Sequence, residues 1–184
     1  MNEQVWWYLS RASGIVALVL LVASLVWGIL LTTRVLRPHD RPGWLLDLHR
    51  WLGGTAVVMV LLHMLGLWLD GYIDYDIAEL LVPGASPWKP LAVAVGIVSF
   101  YVLVAIELTS LAKRRLPPAV WHTIHLLSYL LVWGATVHAG TAGTDTSNRV
   151  YQGLALALTT FAVAATVTRL LAPARRSRRR VASS

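Results

Sequence analysis

The chain has 184 residues, of which 57% are hydrophobic and 14% charged, with a mean hydropathy of +0.61; this excludes an ordinary soluble domain and points to one integral membrane unit. It contains no cysteine, which excludes disulfides and cysteine-ligated iron–sulfur clusters. The net charge of +7 sits on arginines flanking apolar stretches, a pattern of membrane topology rather than of nucleic-acid binding.

Five apolar segments long enough to cross a bilayer predict transmembrane helices at 13–33, 45–69, 90–112, 119–139 and 150–171, an all-α helical bundle. The first has too long an apolar run, and no convincing small-residue cleavage site after it, for a cleavable signal peptide. A basic loop with Arg34, Arg37, His39 and Arg41 leads to the second span, which carries His49, Arg50 and His63; His39 reads as solvated. The long loop from Asp70 to Lys89 holds an apolar patch, Ile77 to Val82, closed by Pro83. It predicts a short interfacial helix that either lids a site or merely connects two spans. The third span carries Glu107 near its end, where it can pair with an arginine or handle a proton. Lys113, Arg114 and Arg115 precede the fourth span, with His122, His125 and His138. A polar turn at 141–148 leads to the fifth. Residues 1–172 thus form the membrane domain, and 173–184 read as a basic, disordered tail held to anionic lipid.

Alternate loops differ sharply in charge. All of the 16 basic residues except Arg11, Lys89 and Arg149 fall on one face, which is therefore expected to be cytoplasmic. The other face holds Glu3, Asp70, Asp74, Asp76, Glu79 and Asp145, with Trp6, Trp7, Tyr8, Trp68, Tyr72, Tyr75 and Trp88 near its boundary. The amino terminus is expected outside and the carboxyl terminus inside, in a bacterial cytoplasmic (inner) membrane.

Ionisable groups inside a span are costly and call for a partner. His49 and His63 are fourteen residues apart and His125 and His138 thirteen, so each helix offers one imidazole near each face, about 21 and 20 Å apart along the axis. The partner that fits is iron held between two helices, in two hemes. Without cysteine, thiolate-ligated and covalently attached c-type hemes are excluded. Spans two and four run parallel, so matching heights pair His49 with His125 on the inner side and His63 with His138 on the outer. Fourteen residues bring His49 and His63 back to one helix face within about 40°, whereas thirteen leave His125 and His138 about 140° apart. A bend or change of winding near Gly134 is therefore expected. The bland alternative for each histidine is a hydrogen bond to a neighbouring helix. Met59 and Met64 are conceivable ligands without partners at the right height. Arg34 and Arg50 are nearest the inner ligands and suited to bind heme propionates, although the positive-inside rule already accounts for arginines as a group.

Leu48-His49-Arg50 with His63, and His125-Leu126-Leu127-Ser128-Tyr129 with His138-Ala139-Gly140, resemble the ferric reductase-like transmembrane domain over nearly the whole chain. Leu9-Ser10-Arg11-Ala12-Ser13-Gly14 and Glu79-Leu80-Leu81-Val82-Pro83 are weaker matches to small bacterial members. The resemblance implies two bis-histidine b-type hemes passing electrons from a cytoplasmic-side flavoprotein, reduced flavin or quinol to an extracytoplasmic acceptor: ferric iron, oxygen or a partner protein. The chain would then be the membrane subunit of an oxidoreductase. It also implies three possible roles for Arg11: at an oxygen site, on a propionate, or as a helix anchor. The sequence departs from the oxidase branch in having no flavin or nicotinamide domain and no glycine-rich nucleotide fingerprint. It also carries His122 where small members often have arginine; His122 either bonds an inner propionate or quinone, or is solvated. Other readings are a quinone-linked superoxide oxidase and a non-redox heme sensor or carrier.

Overall fold

The computed structural model describes residues 3–33, 42–71, 75–143 and 147–181, the last ten of these by backbone alone. Arg34, Arg37, His39, Arg41, Tyr72, Asp74, Asp145 and the end of the chain past Val181 lie outside the described residues. All regular structure among the described residues is helical: α1 (Glu3–Thr33), α2 (Pro42–Leu69), α3 (Ile77–Leu81), α4 (Pro90–Leu111), α5 (Pro118–Leu126), α6 (Ser128–Ala142) and α7 (Arg149–Val181). Counting α5 and α6 as one span, five helices are long and apolar enough to cross a membrane.

In lipid, helices gain little by hiding apolar surface from one another and associate through close packing, so small residues decide where they touch. The α1–α2 pair makes the most extensive contact, antiparallel and in a single register. A side chain on Gly66 would run into the backbone of Ser10 at 2.8 Å, and one on Gly14 would meet His63 at 2.9 Å. Climbing α1 by fourteen residues from Gly14 to Gly28 descends α2 by fourteen from His63 to His49. The second main contact joins α4 to α6, where Gly134 leaves room for the Ser99 hydroxyl. The core they enclose includes Val22, Ala56, Leu103, Val132 and Ala162, all nearly inaccessible.

The irregularity expected near Gly134 lies instead at Leu127, between α5 and α6. Leu127 N–H reaches back to the Ile124 carbonyl (3.0 Å), a tightened turn, before the α-helical pattern resumes with Leu131 N–H to the Leu127 carbonyl (2.9 Å). Overwinding here shifts the phase of His125 against His138. Gly134 is occupied by helix packing and has no part in it. The helical backbone of α7 runs on through the basic segment that begins at Pro173, as far as Val181, where the sequence suggests a disordered tail.

The long loop contains the expected short helix, α3. Asp76 caps it, and a capping box is completed by Glu79, whose carboxylate accepts from Asp76 N–H at 2.9 Å. Tyr101 on α4 donates its hydroxyl to the Leu81 carbonyl. Lys89, with φ of 40°, turns the chain into α4 and donates Nζ to the Thr141 carbonyl (2.8 Å), tying the first turn of α4 to the last of α6.

Candidate functional site

The bundle brings the four intramembrane histidines together in twos. His49 faces His125 with ring centres 6.0 Å apart and planes at 77°; His63 faces His138 at 6.3 Å and 80°. This is the pairing expected from parallel spans. Two imidazoles gripping one metal ion from opposite sides, at an ordinary nitrogen–metal distance near 2.0 Å, would stand roughly 6.3 Å apart between ring centres. Among the described residues no three His, Asp or Glu side chains converge on one point. Each pair could therefore offer two opposed ligands to a metal whose other donors come from a group bound with it, as in a porphyrin.

Three of the four rings are held by main-chain carbonyls. His63 Nδ1–H donates to the Ser10 carbonyl (2.7 Å), His138 Nδ1–H to that of Ala92 (2.8 Å), and His49 Nδ1–H to that of Ser24 (3.1 Å) with the Ser24 hydroxyl also at 3.2 Å. A carbonyl only accepts, so each such bond fixes the proton on Nδ1 and leaves the Nε2 lone pair for a metal. Each carbonyl belongs to a small residue followed four positions later by glycine, and the ring packs on the gap the glycine leaves. Ser10 is followed by Gly14, Ser24 by Gly28, and Ala92 by Gly96. These seats do not follow from the histidine spacing. The available signal was the Ser-x-x-x-Gly pattern on the first span, repeated at the fourteen-residue interval that separates His49 from His63.

His125 is held differently. Its Nδ1 is buried without a hydrogen-bond partner. Thirteen residues on from Ala92 and Gly96 along α4 stand Ala105 and Thr109, and the Thr109 hydroxyl already donates to the Ala105 carbonyl (2.7 Å). Neither a gap nor a free acceptor is available there. The ring stacks instead on Trp121, centre to centre 4.9 Å and 23° between planes, and Lys113 Nζ lies 3.8 Å from the centre of the indole.

A cavity of about 380 Å³ surrounds the His63–His138 pair, within the size range of cofactor pockets. It extends past Gly14, Gly96 and Thr136 to Arg11, Asp70, Tyr75 and Trp88 at the acidic end of the bundle. Arg11 lines it, with its guanidinium 3.8 Å from the centre of the Trp7 ring. Leu80 of α3 also lines it, so the short helix closes part of this end. Tyr75, between spans, has its phenol pushed above the ordinary value mainly by burial, with the Ser86 hydroxyl opposing and the Glu79 charge adding. It therefore stays neutral at ordinary pH.

Other residues singled out from sequence are less integrated. Arg50 is exposed and pairs with Asp47 at 3.3 Å, not with Glu107. Glu107 packs against Gly53, where a side chain would meet its carboxylate oxygen at 2.5 Å. His122 is exposed, with its ring centre 6.3 Å from that of Trp121. Arg34 lies outside the described residues.

Comparison with known proteins agrees with this architecture. The chain is similar to the protein-methionine-sulfoxide reductase heme-binding subunit MsrQ of Azospira oryzae, with 35% identity over 98 residues, covering 52% of this chain and 40% of that protein. The chain thus matches less than half the length of that relative. No solved structure matches it. Residues 13–136, which include His49, His63 and His125 and the carbonyl seats at Ser24 and Ala92, match the family described as ferric reductase like transmembrane component; His138 stands two residues past the matched range. The chain belongs to the ferric reductase-like transmembrane family.

Proposed function

We propose that the chain carries electrons across a membrane through two b-type hemes, one held by His49 and His125 and the other by His63 and His138. The observation that carries this reading is the pair of opposed imidazole couples, 6.0 and 6.3 Å between ring centres, with three of the four Nδ1–H groups committed to carbonyls. Likeness to a protein named as a heme-binding subunit supports the same cofactor, and by that likeness a separate catalytic protein as partner. The basic end of the bundle faces the cytoplasm, where a flavoprotein, reduced flavin or quinol delivers electrons; the acidic end faces an extracytoplasmic acceptor.

When bound, the hemes supply one-electron ferric/ferrous couples in a low-dielectric bundle. The chain's own residues do the rest. The carbonyl seats keep each imidazole neutral and aimed, so little has to move when an electron arrives or leaves. The packed core between the pairs excludes water. Fourteen helical residues separate the two levels by about 21 Å along the axis, so the two pairs would hold their cofactors toward opposite faces of the hydrocarbon core. Arg11, at the acidic end of the cavity, is placed to hold a propionate or an anionic acceptor.

The test is to purify the chain in mild detergent, record oxidised and dithionite-reduced spectra, and count heme by pyridine hemochrome. Two low-spin b hemes per chain are expected. One heme or none would refute the relay.

A further inference from the structure

Among the described residues, the basic end carries an arrangement that the acidic end lacks. Lys113 Nζ lies 3.8 Å from the centre of the Trp121 ring, Trp121 stacks on His125 at 4.9 Å and 23°, and His125 faces His49 at 6.0 Å. This is an unbroken π-stacked line from an exposed cation to a ligand ring. Among the described residues neither ring of the His63–His138 pair stacks on an aromatic side chain. Lys113 opens a 3₁₀ turn with Arg114 and Arg115, all three exposed, immediately before α5.

We propose that Trp121 is the electron inlet of the inner pair, and that Lys113 docks beside it the anionic group of a planar hydroquinone donor, a flavin bearing a phosphate. The proposal rests on the two-heme reading above and names the donor class and the point of transfer.

Electronic coupling falls steeply across empty space and less steeply through atoms in contact. An indole stacked on a ligand ring therefore extends that ring toward the surface. The indole bridges and is not itself oxidised. A hydroquinone placed against it gives up two electrons in succession, each reducing one ferric iron to ferrous. It releases two protons to water at the basic face and leaves as the oxidised quinoid. The missing carbonyl seat fits this arrangement: with no partner at Nδ1, His125 takes its orientation from the indole. A cation over an indole face is held there by the ring quadrupole, and its remaining N–H donors face outward for an anion. Attraction by the basic turn raises the encounter rate of an anionic donor and weakens with salt.

The experiment uses the full chain loaded with heme, reduced in stopped flow by photoreduced flavin mononucleotide or photoreduced riboflavin, which share a ring and differ by the phosphate. Trp121→Leu is expected to keep both hemes at the dithionite end point yet lose the fast phase of reduction with either flavin. Lys113→Glu is expected to slow flavin mononucleotide by roughly tenfold or more at low salt while sparing riboflavin, with the difference vanishing at high salt. Trp44→Leu, an exposed tryptophan on α2, should behave as wild type. Retention of oxidised flavin mononucleotide by the oxidised heme-loaded chain in equilibrium dialysis gives a second readout, weakened by Lys113→Glu. Wild-type rates in Trp121→Leu, or equal loss for both flavins in Lys113→Glu, would overturn the proposal. If Trp121→Leu loses the inner heme, Trp121→Phe decides: a retained fast phase supports the inlet, and two hemes reduced slowly refute it. A wild-type chain without an inner heme would refute the two-heme reading itself, a result distinct from any change in rate.

Discussion

Alanine at Gly96 and at Gly28 should act in opposite directions, although both are the same substitution in the same kind of seat. A Cβ on Gly96 would lie 2.6 Å from His138 Nδ1 and 2.7 Å from its Cε1, whereas a Cβ on Gly28 would come no closer than 3.4 Å to His49 Cε1. Ordinary contact between such atoms begins near 3.5 Å. The His138 ring must therefore retreat by about 0.9 Å, abandoning either the Ala92 carbonyl or its place opposite His63, while His49 hardly moves. Forced overpacking costs about 1–3 kcal/mol, a site weaker by roughly 5- to 150-fold. Relief of glycine's helix penalty returns only about 1 kcal/mol, and does so at both positions. Gly96→Ala should thus lose the outer heme, or show it high-spin, while Gly28→Ala keeps two low-spin hemes and gains slightly in heat stability. The assays are the pyridine hemochrome count and thermal loss of the Soret band. Two intact low-spin hemes in Gly96→Ala, alongside loss of one in Gly28→Ala, would refute the seat geometry.

His63→Ala or His138→Ala should remove the outer heme selectively and His49→Ala or His125→Ala the inner, read as one remaining heme per chain by hemochrome; equal loss of both in folded protein would contradict the pairing. The near-perpendicular rings, 77° and 80°, should give each ferric heme a highly anisotropic low-spin electron paramagnetic resonance signal in place of the rhombic spectrum of parallel imidazoles. Gly66→Ala presses a methyl into the Ser10 backbone, which cannot rotate away as a side chain can. It should destabilise the α1–α2 pair by about 1–3 kcal/mol, measured as earlier thermal unfolding with loss of both hemes. Tyr101→Phe removes the bond to the Leu81 carbonyl and should cost about 0.5–1.5 kcal/mol locally, seen as faster amide hydrogen exchange in α3 with both hemes unchanged.

Span positions and the pairing of histidines were legible because they follow from long apolar runs and a rise per residue, which lipid leaves little freedom to vary. The short helix after Asp76 was legible for a local reason, the apolar patch Ile77 to Val82 closed by Pro83. The break at Leu127 was not. Helical phase demanded an irregularity between His125 and His138 but could not place it, and glycine was the wrong guide because Gly134 is already used to admit Ser99. The seats of the ligands were hidden because main-chain carbonyls leave no letter in the sequence, and Trp121 because a tryptophan near a membrane face has an ordinary interfacial explanation.

Three rings are aligned by acceptors that every residue type possesses, and this changes how such a site can drift or be copied. Ser10, Ser24 and Ala92 could exchange side chains with other small residues and still present the same oxygen, so the polar half of each contact is almost free of selection by residue type. Constraint passes to the facing hydrogen atoms of Gly14 and Gly96, where there is no chemistry to conserve, only volume to keep empty. Anyone transplanting this centre into a synthetic bundle would need to specify where nothing stands, and could leave the hydrogen-bond acceptors unwritten.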